Sequence, residues 1–235
     1  MRQLKQQRAV ETRQAILHAA AVVFDESGYA GASINRILER SGVTAGALYF
    51  HFESKEALAR AVMQAQSDTI VPLLTAEGLQ RLVDLTMIWS HQLQTNTLLR
   101  AGVRLTTERS AFGMEDAATP YQDWAAIMES CLVRAEERGE LQAGVAPKEL
   151  AEFVVEACTG MQLFASAVSG RADLPQRAVR MWELLIPGVA VPSLAVRIKI
   201  DPDRWKAAAY GTLPEATSPV WPGVARRRPG DPRDQ

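Results

Sequence analysis

Apolar residues recur at intervals of three and four between positions 10 and 25, the spacing that one buried face of a helix produces. The residues on this face are Ile16, Leu17, Ala20, Val23 and Phe24. The pattern stops at Ser27-Gly28-Tyr29, and a second short apolar pattern begins after Ser33, a residue type suited to the N-cap of a helix. Two helices are therefore predicted, the second closed by Gly42, which tolerates a left-handed turn.

A third and a fourth helix follow at once. Thr44 is a suitable cap for a short helix through Leu48 and Tyr49, and "ESKEALARAVMQAQ" continues as a longer one. Residues 33–52 then form a short helix, a tight turn at 41–43 and another short helix, which is the helix-turn-helix arrangement. The face that these two helices share is predicted to consist of Ile34, Ile37, Leu38, Val43 and Leu48.

The helical pattern continues through the rest of the chain until the last 40 or so residues. Stretches with helical spacing cover 79–94, 98–110, 121–138, 147–168 and 174–188, separated by short breaks that carry Gly or Pro, such as Gly113 and Pro120. No alternating strand pattern and no repeat occurs. We predict an all-α fold with a helix-turn-helix domain at 1–66, a larger helical domain at 67–195, and an irregular or disordered tail at 196–235.

Composition limits what the chain can do. Its 235 residues, 47% of them hydrophobic, suffice for a sizeable core, and 26 basic against 27 acidic residues give a net charge of −1. Affinity for an anionic partner must therefore come from local placement of charge. Cys131 and Cys158 lack metal-binding or CxxC spacing, which favours reduced thiols in the core, and no metal or cofactor is predicted. Because no long apolar run or signal core is present, we expect a soluble, cytoplasmic protein.

The second helix of the helix-turn-helix is predicted to carry Thr44, Ala45, Gly46 and Tyr49 outward, toward the groove of a DNA partner. Glycine permits close approach of the backbone, and the Tyr49 hydroxyl and the His51 ring can donate to phosphates. Lys55 lies in the first turn of the next helix, where the helix dipole already favours an anion, so a docked phosphate would account for a lysine there.

Basic residues are concentrated at the N-terminus, where Arg2, Lys5, Arg8 and Arg13 face one acid, Glu11. Such an arm could lie in a neighbouring minor groove, as arms before helix-turn-helix units do. A solvated basic tail is an equally good interpretation of these charges.

The segment "TRQAILHAAAVVFDESGYAGASINRILERSGVTAGALYFHFESKEALA" resembles the DNA-binding domain of TetR-type transcriptional repressors. More narrowly, "GALYFHF", "LRAGVRL" and "YQDWAAI" resemble the γ-butyrolactone receptors of Streptomyces-like actinomycetes. The resemblance implies a homodimeric repressor, not an enzyme, that binds a palindromic double-stranded operator, controls secondary metabolism and leaves DNA when it binds a small diffusible lactone or furan. Ser33 and Arg36 on the preceding helix join the predicted DNA contacts.

One position departs from that subfamily, which usually carries lysine where this chain has Ala45. A methyl group cannot reach a phosphate or a guanine edge, so one contact worth about 1–3 kcal/mol is missing or moved. Arg36 is a candidate to compensate. The departure affects the expected operator sequence more than the expected DNA binding.

Three residues are candidates for the effector site. Trp124 belongs to an apolar stripe along 121–138, which by pattern alone indicates core packing, but the resemblance implies that a tryptophan in "YxxW" lines the ligand cavity. Thr159 lies in an apolar helix, where its hydroxyl would bond either a ligand carbonyl or its own helix. Gln66 follows the fourth helix, which would link the effector site to DNA, although a surface glutamine is the plainer interpretation.

Two helices are candidates for the dimer interface. The first has a heptad-like spacing and the second a similar stripe. Pairing of both with their copies would give a four-helix bundle, whereas burial within one subunit is the alternative. The first set is Leu150, Val154, Ala157, Met161, Phe164 and Val168, and the second is Ala178, Met181, Trp182, Leu185, Ile186 and Val189.

Two other functions are alternatives. A pseudo-receptor of the same family would answer to antibiotics or their intermediates, or to no effector. A small-molecule enzyme is disfavoured because His18, His51 and His91 lack Cys or carboxylate partners at ligand or triad spacing, and no glycine-rich phosphate loop occurs.

Overall fold

A computed structural model describes residues 2–108 and 118–201 of the chain. Helix α1 spans Arg2–Gly31 and is interrupted at Gly28, where φ is 65°. Helix α2 spans Ile34–Ser41, α3 spans Ala45–His51 and α4 spans Lys55–Gln64. Two single 3₁₀ turns, Ser67–Thr69 and Val71–Leu73, lead out of this group of helices.

The second part of the chain is also helical. Helix α5 spans Gly78–Thr95, α6 Thr97–Thr107, α7 Thr119–Glu137, α8 Pro147–Ser169, α9 Leu174–Val189 and the short α10 Pro192–Ala195. Over the described ranges the only extended pairing is one isolated antiparallel bridge between Leu141 and Ala190. The predicted all-α fold is confirmed. Gly113 and most of the predicted tail, 202–235, lie outside the described residues.

Local capping explains the helix-turn-helix. The hydroxyls of Ser33, Thr44 and Ser54 each accept a hydrogen bond from a backbone N–H in the first turn of α2, α3 and α4. Gly42 closes α2 with φ 69°, a left-handed conformation that costs an L-residue about 1 kcal/mol or more. The predicted caps at Ser33 and Thr44 and the glycine turn are confirmed.

The N-terminal segment is helical, because α1 begins at Arg2. The helical spacing in the sequence begins only at about residue 10, so the first turns of α1 were not predicted, and the choice between an arm in a minor groove and a solvated basic tail stays open. Arg8 and Arg13 project from α1, and the Arg13 guanidinium lies 5.1 Å from the centre of the Phe52 ring at the end of α3. This contact ties the start of the chain to the helix-turn-helix.

Two hydrophobic clusters form the interior. One is formed by helices α1, α2, α3 and α4 and includes Ile37 and Leu48, with the predicted Ile34, Leu38 and Val43 packed at its edge. The other joins α5 to α9 around Trp182, whose indole N–H donates to the Thr86 hydroxyl at 2.6 Å. Helix α6 belongs to both halves, since Ala101 and Leu105 pack into the first cluster while Leu99 packs into the second. Movement of α6 must therefore disturb both clusters.

The predicted dimer seams are buried largely within one subunit. Leu150 and Val154 of α8, and Ala178, Trp182, Ile186 and Val189 of α9, belong to the core of the larger half. The sequence pattern could not separate two apolar faces that share the same helices. A neighbouring face, which includes the predicted Phe164 and Val168, remains exposed and is described below.

Both cysteines are free, buried thiols. Burial raises the pKa of Cys131, and it raises that of Cys158 to about 12. In residues 2–108 and 118–201, no helix combines the length and the apolar content needed to cross a membrane, and no group of His, Cys, Asp and Glu is arranged to hold a metal ion.

Candidate functional site

Helix α3 presents one face to solvent. Leu48 is fully buried, while Ala45, Gly46, Tyr49 and Phe50 are exposed, with Gly46 and Phe50 on the side of the helix opposite Leu48. Tyr49 is 52% exposed and Phe50 81% exposed, unusual for large rings on a short helix. An exposed helix with two accessible rings has the shape and chemistry of an element that enters a partner's groove.

The fold itself does not require glycine at position 46. A Cβ atom built there would meet no atom within 4 Å, and glycine disfavours a helix by about 1 kcal/mol relative to alanine. The space above Gly46 is therefore open to a partner. Ala45, at the first position of α3, is equally exposed, and Thr44 caps the helix with its hydroxyl 3.2 Å from the Ala47 nitrogen.

The predicted contacts on α2 are partly engaged within the protein. Ser33 accepts from the Arg36 nitrogen at 3.3 Å, and the Arg36 guanidinium donates to Ser27 at 2.6 Å and to Glu26 at 3.0 Å. Arg40 pairs with the same Glu26 carboxylate. To compensate for Ala45, Arg36 would have to leave these partners, which sequence reasoning did not anticipate.

Lys55 lies at the first position of α4, as predicted, and its ammonium lies 4.3 Å from the centre of the Tyr29 ring. The Tyr29 hydroxyl donates to the Glu56 carboxylate at 2.7 Å. The Tyr29 ring thus holds Lys55 at the N-terminus of α4, and a cation at this place can meet a phosphate.

The Tyr29–Glu56 bond shifts the titration of both groups. Burial, and then the bond to Glu56, raises the pKa of Tyr29 well above its usual range, while the bond from Tyr29 is the main cause that lowers the pKa of Glu56 from 4.5 to about 2. Since the folded pKa of Glu56 is depressed, its contribution to stability is present above pH 4.5 and is lost as the pH falls toward 2.

Tyr29→Phe is expected to raise the pKa of Glu56 toward its ordinary value, because the largest cause of the depression is removed. Side-chain carboxyl NMR over an acid titration measures this directly. Tyr49→Phe, which alters an exposed tyrosine elsewhere, serves as the control. An unchanged Glu56 pKa in Tyr29→Phe would show that the hydrogen bond does not form in solution.

His51 ends α3, with its ring edge-on to Phe50 at 5.1 Å between centroids. The pair extends the aromatic surface of α3 toward α4. Sequence reasoning missed Phe50 and Tyr29. The exposure of Phe50 follows from helical geometry once Leu48 is taken as buried, because a residue two positions on points away from the core. The role of Tyr29 depends on a contact 26 positions along the chain and has no local pattern.

The larger half contains a narrow cavity of about 50 Å³. Its walls come from the four helices α5 to α8 and the connection after α4, and they include Gln66, Trp89, Thr106, Trp124, Thr159 and Gln162. The structure therefore brings the three predicted effector residues, Gln66, Trp124 and Thr159, to one cavity. Whether they contact a ligand stays a prediction.

The polar groups of the cavity are largely committed to the protein. Gln66 is only 3% exposed, so the alternative of a surface glutamine is wrong, and its amide nitrogen donates to the Met63 carbonyl at 2.9 Å and reaches Thr106 at 3.4 Å. Thr159 donates to its own helix at the Val155 carbonyl, 2.8 Å away, which is the alternative that the sequence left open. In this arrangement Thr159 can only accept a hydrogen bond from a ligand.

Helix α6 joins this cavity to α1. Val103 and Thr106 line the cavity, while Arg100 pairs with Asp25 at 2.9 Å and Arg104 donates to the Asp25 carbonyl at 2.6 Å. Glu108, which pairs with Arg104, accepts from the Tyr29 nitrogen at 3.1 Å. A side chain at Gly28 would collide with Glu108 at 2.5 Å, so glycine allows this close approach. Sequence reasoning assigned the connection to α4 and missed α6.

An apolar face of α8 and α9 is open to solvent. Phe153, Phe164 and Val168 of α8 and Leu184 of α9 are exposed, Leu184 at 76%. A groove between these helices has Gly160 at its floor. The Arg177 guanidinium lies 4.7 Å from the centre of the Phe164 ring at the rim. Contiguous exposed apolar side chains on long helices are typical of a protein–protein interface.

Each half of the chain matches a known protein family. The family described as "Bacterial regulatory proteins, tetR family" matches residues 16–62, and "Tetracyclin repressor-like, C-terminal domain" matches residues 76–192. The first match contains the capped helix-turn-helix, and the second contains the exposed face of α8 and α9 and all the residues that line the cavity except Gln66.

Individual proteins are similar over most of the chain. The A-factor receptor protein of Streptomyces griseus is 42% identical over 195 residues, which is 83% of this chain and 70% of that protein. TylP, a TetR regulator of Streptomyces fradiae, superimposes with a TM-score of 0.82 at 38% identity, over 88% of this chain and 100% of its own. A γ-butyrolactone receptor described as ArpA-like superimposes with a TM-score of 0.63 at 30% identity, over 86% and 97%.

Proposed function

The chain belongs to the TetR family of bacterial regulatory proteins, and from this premise we propose that it is a repressor that a small diffusible signal releases from its operator. The signal is a γ-butyrolactone-type molecule, and the regulated genes serve secondary metabolism. One observation carries the proposal: α6 lines a cavity on one side, and on the other it holds α1 at Asp25 by an ion pair from Arg100 and a hydrogen bond from Arg104.

The DNA-binding element is the exposed face of α3. Gly46 lets the backbone approach the major groove, and Ala45, Tyr49 and Phe50 surround it. Around this face, Ser33, Arg36, Thr44, His51 and Lys55 are proposed to position the helix through sugar and phosphate contacts.

The small size of the cavity suggests how an effector would release the protein from DNA. Its volume of about 50 Å³ holds a few water molecules, whereas small-molecule sites span about 300–1,000 Å³. An effector must therefore push its walls apart, among them α6, and so displace α1 and the helix-turn-helix. The effector favours the released state only by its difference in affinity between the two states, and about 1–3 kcal/mol weakens operator binding several-fold to a hundred-fold.

Two copies are proposed to assemble through the exposed face of α8 and α9. Pairing of four long helices buries Phe164, Val168 and Leu184, and it places two reading helices about 34 Å apart on a palindromic operator. Since a bacterial chromosome lies in the cytoplasm, we place the repressor there.

The second candidate is a pseudo-receptor that binds the same kind of operator but answers to an antibiotic or an intermediate. Because the polar groups of the cavity bond mainly to the protein itself, they favour no particular ligand ring or chain. The family consists of DNA-binding regulators, so an enzymatic function has no support from it.

A gel shift on the DNA upstream of the protein's own gene tests the proposal. The purified protein should retard this fragment, and a γ-butyrolactone such as A-factor should release it. Retardation without release by the lactone, but with release by an antibiotic intermediate, would identify a pseudo-receptor. Failure to retard any fragment would exclude DNA binding.

Ala45→Lys is expected to strengthen operator binding at least about 30-fold, because each of the two α3 helices acquires a cation facing phosphate or guanine, worth about 1 kcal/mol or more. The slope of log affinity against log salt should steepen by about 0.9 for each additional phosphate that the new lysines neutralise. Fluorescence anisotropy at several salt concentrations measures both. The same affinity and slope as the parent would mean that Ala45 does not face DNA.

A further inference from the structure

The turn between α8 and α9 contains a residue in an uncommon backbone conformation. Arg171 has φ 69°, in the left-handed region that a side chain with a Cβ disfavours, directly after Gly170. Such a conformation costs about 1 kcal/mol or more and persists where the surrounding contacts hold it. Both the backbone and the side chain of Arg171 are held by residues that connect to other parts of the protein.

The side chain of Arg171 reaches the wall of the cavity. Its guanidinium donates to the amide oxygen of Gln162 at 3.4 Å, and Gln162 is only 1% exposed and lines the cavity. Because an arginine can only donate, the Gln162 oxygen must face Arg171. The amide nitrogen lies on the other side of the same group and is the donor that Gln162 can offer to a molecule in the cavity.

The backbone of Arg171 is tied to α1 through two side chains. Gln94 donates its amide nitrogen to the carbonyls of Arg171 at 2.7 Å and Ala172 at 3.0 Å. The backbone carbonyl of Gln94 in turn accepts from the Arg100 side chain at 3.2 Å, and Arg100 donates to the Asp25 carboxylate of α1 at 2.9 Å. Hydrogen bonds therefore run from the α8–α9 turn to the helix that carries the DNA-binding half.

Charge placement agrees with this route. The Nε atom of Arg171 is buried and has no partner in the described residues. Burial lowers the pKa of Arg171, and the charge of Asp25 acts in the opposite direction. The guanidinium is thus held where a small shift of Gln162 changes its distance from Asp25, Arg100 and Arg104.

We propose, on the basis of the function proposed above, that Gln162 and Arg171 form a second connection between the cavity and the DNA-binding half. A hydrogen-bond acceptor of the effector, such as an ester or ketone carbonyl, binds the Gln162 amide nitrogen and shifts Arg171, and the turn transmits the shift through Gln94 and Arg100 to Asp25. The connection is separate from the cavity-lining face of α6. It makes Gln162 a specificity-determining residue and Arg171 a positioning residue.

Arg171→Gly is the decisive variant, because glycine adopts φ 69° without strain and the fold is kept while the guanidinium is removed. Ala172→Gly, in the same turn, is the matched control. Operator affinity is measured by anisotropy with and without saturating A-factor, and A-factor affinity by tryptophan fluorescence. We expect Arg171→Gly to keep both separate affinities within about threefold and to reduce the weakening caused by A-factor at least fivefold.

Gln162→Leu is expected to weaken A-factor binding about 5- to 10-fold, the equivalent of one hydrogen bond. A release factor in Arg171→Gly within twofold of that of the parent, or unchanged A-factor affinity in Gln162→Leu, would overturn the proposal. A parent that fails to bind its operator would instead contradict the proposed function.

If the parent protein binds the operator but A-factor does not release it, hydrogen exchange tests the proposed connection. Operator binding should then change the exchange of amides in residues 158–171 in the parent and in Ala172→Gly, and should leave them unchanged in Arg171→Gly. The same change in all three proteins would show that the turn does not connect the two halves.

Discussion

Phe164→Glu is expected to separate the proposed homodimer into monomers and to weaken operator binding at least about 100-fold. Phe164 is 56% exposed on the apolar face of α8, beside the groove with Gly160 at its floor. A twofold interface would bring two new carboxylates into one apolar contact, where unpaired charges are costly. In a dimer, binding of one reading head gives the second a high effective concentration at its half-site, which raises affinity by a factor of about 10²–10⁴. A monomer loses this factor.

Analytical ultracentrifugation gives the oligomeric state, and anisotropy on a palindromic operator gives the affinity. Val133→Glu is the matched control, since Val133 is an exposed apolar residue of α7 outside this face. Circular dichroism should show the same helical content in both variants. A dimer with full operator affinity in Phe164→Glu would place the interface elsewhere.

Gly46→Leu is expected to weaken operator binding at least about 30-fold, which corresponds to about 1 kcal/mol at each of two reading heads. The same substitution should stabilise the free protein by up to about 1 kcal/mol, because leucine favours a helix over glycine and nothing lies within 4 Å of the added Cβ. Opposite changes in stability and affinity are the result that distinguishes a DNA contact from a fold requirement.

Urea unfolding measures the free energy of unfolding, and anisotropy measures the operator affinity. Glu136→Leu adds the same side chain at an exposed position of α7 and should leave operator affinity unchanged. If Gly46→Leu binds the operator as tightly as the parent, the N-terminal part of α3 does not enter a groove.

The local features of the helix-turn-helix could be predicted from the sequence because they depend on nearby residues. Ser33 and Thr44 cap the helices that they precede, and Gly42 takes the left-handed turn. Each of these features depends on the residue type at one position, which either satisfies the local backbone requirement or does not. The helix bounds in the larger half follow similarly from apolar spacing and from proline near the starts of α7 and α8.

Contacts between distant parts of the chain could not be predicted in the same way. Asp25 and Arg100 are 75 positions apart, and Gln94 and Arg171 are 77 apart, so no periodicity relates them. The predicted dimer seam mixed buried and exposed residues for another reason: a helix that is apolar on two adjacent faces gives one pattern, and only packing shows that Trp182 is inside and Phe164 outside. Gln66 was assigned to the effector site only by its place after the fourth helix. Its burial could not be predicted, because it depends on contact with α6.

In the proposed repressor, operator and effector binding oppose each other within one protein. Anisotropy of a labelled operator duplex, titrated with protein in the absence and in the presence of saturating A-factor, measures this opposition. We predict that A-factor raises the operator dissociation constant at least about fivefold. An unchanged constant, at an A-factor concentration at which tryptophan fluorescence shows the cavity to be filled, would contradict it.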